Sequence, residues 1–528
     1  DSCVLDKDLI AAGTAINENN KDATINFDGV SLDLAFDADG EAPLVFRYDD
    51  VGQIKLHAEI TVPAFEENPE ITLSGSSAGF IVRPADMVLS RIEDSLGVIN
   101  PASTSSGQGF VIADTAFTVK VDVRNGQGRV TPNYGNETTP ETIALGLKTR
   151  IFPPSSVGGV LSNGTSFSGS GGIFTNTNVK WSDVGTIKLQ ANIGDNNYLD
   201  SGNIASPTES GNIGRFYPDH YELSLATLAN TCSNFSYMGQ PGINLTYTIK
   251  AVNASGGELA NYDNKDLTYP VASLSYSVEN NNAGVELNNR LTVDPGLWDD
   301  GVYLLTDSGV EFSRLLTGPD GPYSSVQIGA ILSDALDSRV LQGLNMNAST
   351  NDDCVGSANC AAHSLGSGLD VRYGRLTNLG AHGPESSPLP VILKVDYWNG
   401  SSFIINGDDN SSAPASDGCT SILRSRLLFD SANTLTDFDV DFTGGTTTAA
   451  LTSDATDVFF TNGSAELVFS APQVTGGFPL QVINVAEWLR ADWDQNGLWD
   501  DTDHPETAIS FGHYRGHDRI IYWREILN

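Results

Sequence analysis

The chain has 528 residues, 40% of them hydrophobic and only 18% charged, and its 28 Lys and Arg face 66 Asp and Glu for a net charge of −38. That length exceeds what one core sustains and points to three or four domains, while the apolar content argues for packed cores and against an acidic disordered chain. A surface this anionic repels polyanions, so nucleic acid is set aside as a partner, and divalent cations or cationic proteins are favoured.

In chain order, the segments 54–60 (IKLHAEI), 117–123 (FTVKVDV) and 245–252 (LTYTIKAV) alternate apolar and polar residues with the period of a half-buried strand. Turn sequences separate them: NGQG at 125–128, NASGG at 253–257 and TGG at 475–477. This predicts a mainly β fold of tandem antiparallel β-sandwich, immunoglobulin-like domains. Helical periodicity is expected only in part of 324–344 and at 485–493. No apolar run reaches the roughly 18 residues of a membrane span, and the first residues lack the basic and apolar regions of a secretion signal, so the chain reads as a mature product or a fragment.

The chain also repeats itself. YDDVGQIKLHAEI at 48–60 matches WSDVGTIKLQANI at 181–193 in eight of thirteen positions. Pro84 aligns with Pro218, and Asn125, Gly128, Asn133, Tyr134 and Asn136 align with Asn253, Gly256, Asn261, Tyr262 and Asn264. A repeat this long implies whole domains. The expected division is 1–78 (the latter part of a sandwich repeat, with the natural polypeptide continuing upstream), 79–213 (a second repeat), 214–370 (a third with extended loops) and 371–528 (a C-terminal β domain). The shared NGQGRVTPNYGN and NASGGELANYDN motifs read as hairpin turns with a corner tyrosine, the functional alternative being a carbohydrate site.

Five cysteines stand at 3, 232, 354, 360 and 419 without zinc-site spacing. Cys354 and Cys360 bracket a short loop that a disulfide could close, which fits an oxidising compartment, and Cys232 and Cys419 could pair. Cys3 is left over.

The stretch 492–503, DWDQNGLWDDTD, fills each ligand slot of an EF-hand-type Ca2+ loop. Asp492, Asp494 and Asn496 supply alternate side-chain oxygens, Gly497 the sharp turn, Leu498 a backbone carbonyl, Asp500 the water-linked position and Asp503 the closing carboxylate. Asp503 is shorter than the usual Glu, so it can give one oxygen in place of two. PGLWDDGVY at 295–303 shares residues with the loop but lacks the DxDxN run, and reads as a plain turn. Near the C-terminus, His513 and His517 have zinc-like helical spacing, but the glycines among them argue against a helix. The strand-like 519–526, with Arg519, Ile521, Tyr522 and Trp523, is expected to close a sheet or to augment a partner's. No catalytic constellation stands out, and no enzyme is expected: GTSFSGSGG at 164–172 lacks the strand-to-helix setting that activates a serine.

IGRFYPDHYEL at 213–223, FSYMGQPGINLTYTIKAVN at 235–253, VRYGRLTNL at 371–379, LPVILKVDYWNGSSF at 389–403 and GHYRGHDRIIYWREI at 512–526 occur in an order that resembles the carboxy-terminal region of MshQ-type proteins of the mannose-sensitive haemagglutinin (MSHA) type IV pilus system. The resemblance spans essentially the whole chain. It implies a secreted, cell-surface protein acting as an adhesin or as a minor tip or assembly component, with pilus subunits, other surface proteins or a glycan receptor as partners. A purely structural stalk and a glycan-processing enzyme are the rival readings.

Overall fold

The computed structural model describes residues 37, 39, 41, 48–65, 67–351, 354, 359–410, 420–423, 427–428, 439–451, 457–497, 499 and 503–512. Among these the protein is mainly β. Its helical elements are single 3-10 turns at Tyr198–Asp200, Asn288–Arg290 and Glu487–Leu489, and no helix is long and apolar enough to cross a membrane.

Three largely antiparallel sandwiches follow one another. In the first, which we call the 86–216 sandwich, Asp86–Glu93, Phe117–Arg124, Ile173–Trp181 and Leu161–Ser162 form one sheet, and Ile213–Phe216, Gly185–Ile193 and Ile143–Phe152 form the other. The alternation seen in sequence is what builds it: Val119, Val121 and Val123 point inward, as do Ile187, Leu189, Ala191 and Ile193 from the facing sheet, and all join one core around Trp181. The 220–372 sandwich packs His220–Ala229, Ile243–Val252 and Val302–Phe312 against Ser236–Tyr237, His363–Arg372, Tyr323–Ser333 and Ser273–Asn280. The 374–511 sandwich packs Gly374–Asn378, Leu389–Trp398, Ser464–Phe469, Gly445–Leu451 and Asp439–Phe442 against Ala381–Gly383, Glu506–Phe511, Gly476–Val482 and Leu427–Leu428. Upstream, Gly52–Ile54 pairs with Phe80–Val82 as Gly185–Ile193 pairs with Ile213–Phe216, so the two repeated DVG segments hold equivalent places.

Two helical expectations are corrected. Tyr323–Ser333 is an eleven-residue strand paired on both sides, because Val326, Ile328 and Ala330 recur every second residue and all face the core. That period of two outweighs the weak helical pattern of the wider window. At 485–493 only the turn Glu487–Leu489 forms, where Leu489 drops into the core of the last sandwich. Cys354 and Cys360 are disulfide-bonded with Cα atoms 5.3 Å apart. Cys232 is also disulfide-bonded; its expected partner Cys419, and Cys3, lie outside the described residues.

Trp298 is the keystone of the middle core. It is 1% exposed, its indole N–H donates to the Ala272 carbonyl at 3.1 Å, and the rings of Tyr221, Tyr262 and Tyr303 surround it at 4.9–5.7 Å between centroids. Trp298→Ala removes this packing and strands the carbonyl. Chemical denaturation of the variant is expected to show a loss of about 3–5 kcal/mol in this sandwich, and a loss under 1 kcal/mol would contradict the assignment.

Candidate functional site

The acidic loop sits between the turn Glu487–Leu489 and the closing strand Glu506–Phe511 of the last sandwich. Asp492, Asp494 and Asp503 bring one carboxylate oxygen each within 4.8 Å of one another, a cluster that could hold a metal ion. Asp503 is 2% exposed and its Oδ1 accepts the backbone N–H groups of Trp493 (2.8 Å) and Asp494 (3.4 Å), which folds the loop back on itself. Asp494 accepts from the Asn496 backbone and amide, and Asp492 Oδ2 accepts from Gly497 N, where the backbone turns through φ +86°. Asp492 Oδ1 is buried with no hydrogen-bond donor. Three carboxylates this close repel one another unless a cation screens them. Leu498 and Asp500, the seventh and ninth positions of the loop, lie outside the described residues.

The loop also reaches the preceding sandwich, which its sequence did not announce. Trp499 packs against the core of the 220–372 sandwich and meets the Tyr373 ring edge-on at 5.2 Å. Beside it, Arg314 is clamped: its guanidinium donates to the carbonyls of Gly374 (2.8 Å), Trp488 (2.7 Å) and Arg490 (2.6 Å) and lies 3.6 Å from the Tyr373 ring centroid. Burial lowers the Arg314 pKa to about 10. The acidic loop therefore stands at the joint between two sandwiches.

A second acidic cluster, Asp263, Asp266 and Asp299, was not expected, since 295–303 reads as a turn. The backbone N–H groups of Asn264 and Lys265 donate to the Trp298 carbonyl, both at 3.2 Å, and Trp298 N donates to Asn264 Oδ1, which brings Asp299 to the other two. Lys265 Nζ already bonds Asp299 at 2.5 Å. Burial favours the protonated acid at Asp263, but four backbone N–H groups, from Lys265, Asp266, Leu267 and Asp300, outweigh it and hold the carboxyl below the usual range. This cluster thus carries its own cation and donors.

The repeated Asn motifs are joint elements. Asn125 caps its own turn, its Oδ1 accepting from Gln127 and Arg129, and reaches out with Nδ2 to the carbonyl of Asp49 at 2.7 Å. Asn253 does the same with Ser255 and Gly257, and its Nδ2 reaches Ser182 O at 2.9 Å. Asp50 Oδ1 accepts from Asn133 N, as the carboxylate of Asp183 accepts from Asn261 N. Each DVG segment is thus the socket for the Asn motif that follows it. Gly158 completes the second socket through Asn261, and a Cβ there would come within 2.3 Å of Asp183 Oδ2. Arg215 fastens the same joint: it is fully buried, pairs with both oxygens of Asp337 at 2.7 and 2.5 Å, and also bonds Tyr269 and Gly107. Asn125, Asn253 and Asn261 are each 7% exposed or less, so these three asparagines serve the joints and not an open surface. Tyr134 and Tyr262 are buried core tyrosines whose hydroxyls bond the backbone of Thr142 and Ala272. His513, His517 and the terminal Arg519, Ile521, Tyr522 and Trp523 lie outside the described residues.

Models of four successive domains of one family match the chain: "Domain of unknown function (DUF6701), first Ig-like domain" at 2–76, then its second domain at 83–178, third at 183–361 and fourth at 372–526. The chain belongs to the DUF6701 family. The DUF6701 third-domain match begins at 183, within the DVG segment that leads into the strand Gly185–Ile193 of the 86–216 sandwich, so this match straddles the joint just described. No curated protein matches the chain. Among solved structures, the adhesin InvE of Yersinia pseudotuberculosis is similar at 14% identity, with 68% of this chain and 70% of that one covered and a TM-score of 0.22. The I67–I69 I-band fragment of titin is similar at 9% identity, with 76% and 93% covered and a TM-score of 0.19. The D0-D1 domains of intimin follow at 14% identity, with 44% and 90% covered and a TM-score of 0.14. Scores this low transfer no ligand or partner to the DUF6701 chain.

Asp183 gives the joint a pH signature. Burial pushes its carboxyl up to about 6, against the Val184 and Asn261 N–H groups and Arg150, which pull it down, while Asp300 raises it further. A folded-state value above the ordinary 3.8 means that the folded chain holds this proton more tightly. Its stabilisation is complete below the ordinary value and is lost as pH rises through about 6. Asp183→Asn is expected to flatten the dependence of melting temperature on pH between about 4 and 7; an unchanged slope would contradict this account of the joint.

Proposed function

We propose that this chain is a non-enzymatic, extracellular surface module of an MSHA-like type IV pilus system, acting in attachment or as a minor tip or assembly component. The observation that carries the reading is a series of Ig-like sandwiches joined by buried hydrogen bonds, an architecture suited to presenting a surface at a distance from the cell. The disulfide Cys354–Cys360 is consistent with an oxidising, extracytoplasmic setting. The ordered motifs shared with MshQ-type proteins support the pilus context. We take the division 1–78, 79–213, 214–370 and 371–528 as the domain organisation in outline, with strand pairing carrying each boundary a few residues further: Phe80–Val82 pairs with Gly52–Ile54, Ile213–Phe216 with Gly185–Ile193, and Val371 and Arg372 with Ser236 and Tyr237. Co-purification from cells is the direct test: pilin subunits recovered with the chain would support the pilus assignment, and their absence under crosslinking would contradict it. Cleavage of any glycan by the purified chain would overturn the non-enzymatic reading.

The loop 492–503 is proposed as a calcium site that orders the last domain. Asp492, Asp494, Asn496 and Asp503 would supply side-chain oxygens, with Leu498 and Asp500 completing the EF-hand-like set. Support comes from the ligand spacing together with the convergence of three carboxylates on one point. Calcium at about 100 times its dissociation constant would stabilise the domain by about 2.7 kcal/mol, or roughly 5–10 °C. Titration with calcium is expected to raise the melting temperature of the unmodified protein and to leave Asp494→Ala unmoved; no shift in either protein would remove the calcium assignment.

A further inference from the structure

Each sandwich is closed in the same way. Its leading strand pairs antiparallel with the next long strand: Asp86–Glu93 with Phe117–Arg124, His220–Ala229 with Ile243–Val252, and Gly374–Asn378 with Leu389–Trp398. Between these two strands the chain crosses to the opposite sheet and pairs in parallel with the strand that closes the domain. In the 86–216 sandwich Phe110 N donates to Arg215 O, Tyr217 N to Val111 O and Ala113 N to Tyr217 O, with Ile112 opposite Tyr217 in parallel. In the next, Ser236 and Tyr237 lie parallel to Val371 and Arg372, and Met238 N donates to Arg372 O at 2.9 Å. In the last, Ala381–Gly383 runs parallel to Ile509–Phe511, and Gly512 N donates to Gly383 O at 2.9 Å.

Parallel closure has a mechanical consequence. The chain enters at one end of each sandwich and leaves at the other. Tension applied between the ends therefore slides the crossing segment and the closing strand past each other, and their hydrogen bonds are strained together. An antiparallel terminal pair pulled from its shared end would instead open one bond at a time. We propose that the protein is a tether that carries tension along its length, with the parallel closures as the elements that resist it and the buried joints passing force from one sandwich to the next. The second joint is suited to passing force, because Asp183 with Asn261, Asn253 with Ser182, and Arg215 with Asp337 bind the two sandwiches at separate points. This function needs neither the calcium site nor any receptor, and it stands or falls separately from them.

Single-molecule force spectroscopy tests it on the full chain by changing only the direction of pull. Handles at the two termini load the closures in shear. Handles on Gln108→Cys and Gly211→Cys, both at exposed positions just before the paired segments, peel the closure of the 86–216 sandwich from one end. Leu379→Cys with Glu506→Cys does the same for the last sandwich and serves as an independent second pair. The kinetic barrier to forced unfolding governs the reading, and end-to-end pulling is expected to require roughly twofold or more the force of peeling. Equal or lower force in the end-to-end direction would overturn the proposal.

Discussion

Both joints built on a DVG segment depend on one contact type: a carboxylate from one sandwich accepting the backbone N–H of an asparagine from the next. Asp183 is 3% exposed and Asn261 2%, so the contact is dry and its loss would strand donors that water cannot reach. Linkers between domains ordinarily permit motion unless the interface is large or tightly bonded. Here the Asn turn, the DVG segment and the Arg215–Asp337 pair occupy separate points of the same joint, and three separated attachments define an orientation that one would not.

The last joint reaches the same end by different chemistry. In place of the carboxylate socket, the Arg314 guanidinium satisfies three carbonyls and stacks on Tyr373. Such a buried cation is tolerable because its two terminal nitrogens meet fixed oxygens and its face meets an aromatic ring. Two of those carbonyls belong to Trp488 and Arg490, just ahead of the acidic loop, and Trp499 from within the loop packs beside them. Order in the acidic loop and order at this joint are consequently linked through a few residues, which gives a bound cation a path to the geometry between sandwiches.

Much of this was legible in the sequence. Strands such as Phe117–Arg124 and Ile243–Val252 announce themselves by alternation, because one face is buried and the other is not. The repeat of DVG and the Asn motifs was equally visible, but its purpose was not: each half looks like a local turn, and only their juxtaposition across a domain boundary shows a socket and its insert. The acidic loop is legible in its ligand spacing, whereas the cluster at Asp263, Asp266 and Asp299 is not, because its members come from two segments joined by hydrogen bonds between Asn264, Lys265 and Trp298. The strand Tyr323–Ser333 is less legible because the buried Gly329 interrupts its alternation, and its pairing along both edges is a tertiary fact.

The central claim is that hydrogen-bonded joints hold successive sandwiches in one orientation. The most direct measurement is the distance distribution between spin labels at the exposed positions 168 and 306, on either side of the second joint, by double electron–electron resonance. The account predicts one narrow distribution that broadens when Asp183→Ala and Asn253→Ala are combined. A broad distribution in the unmodified chain, or a narrow one that survives both substitutions, would contradict it.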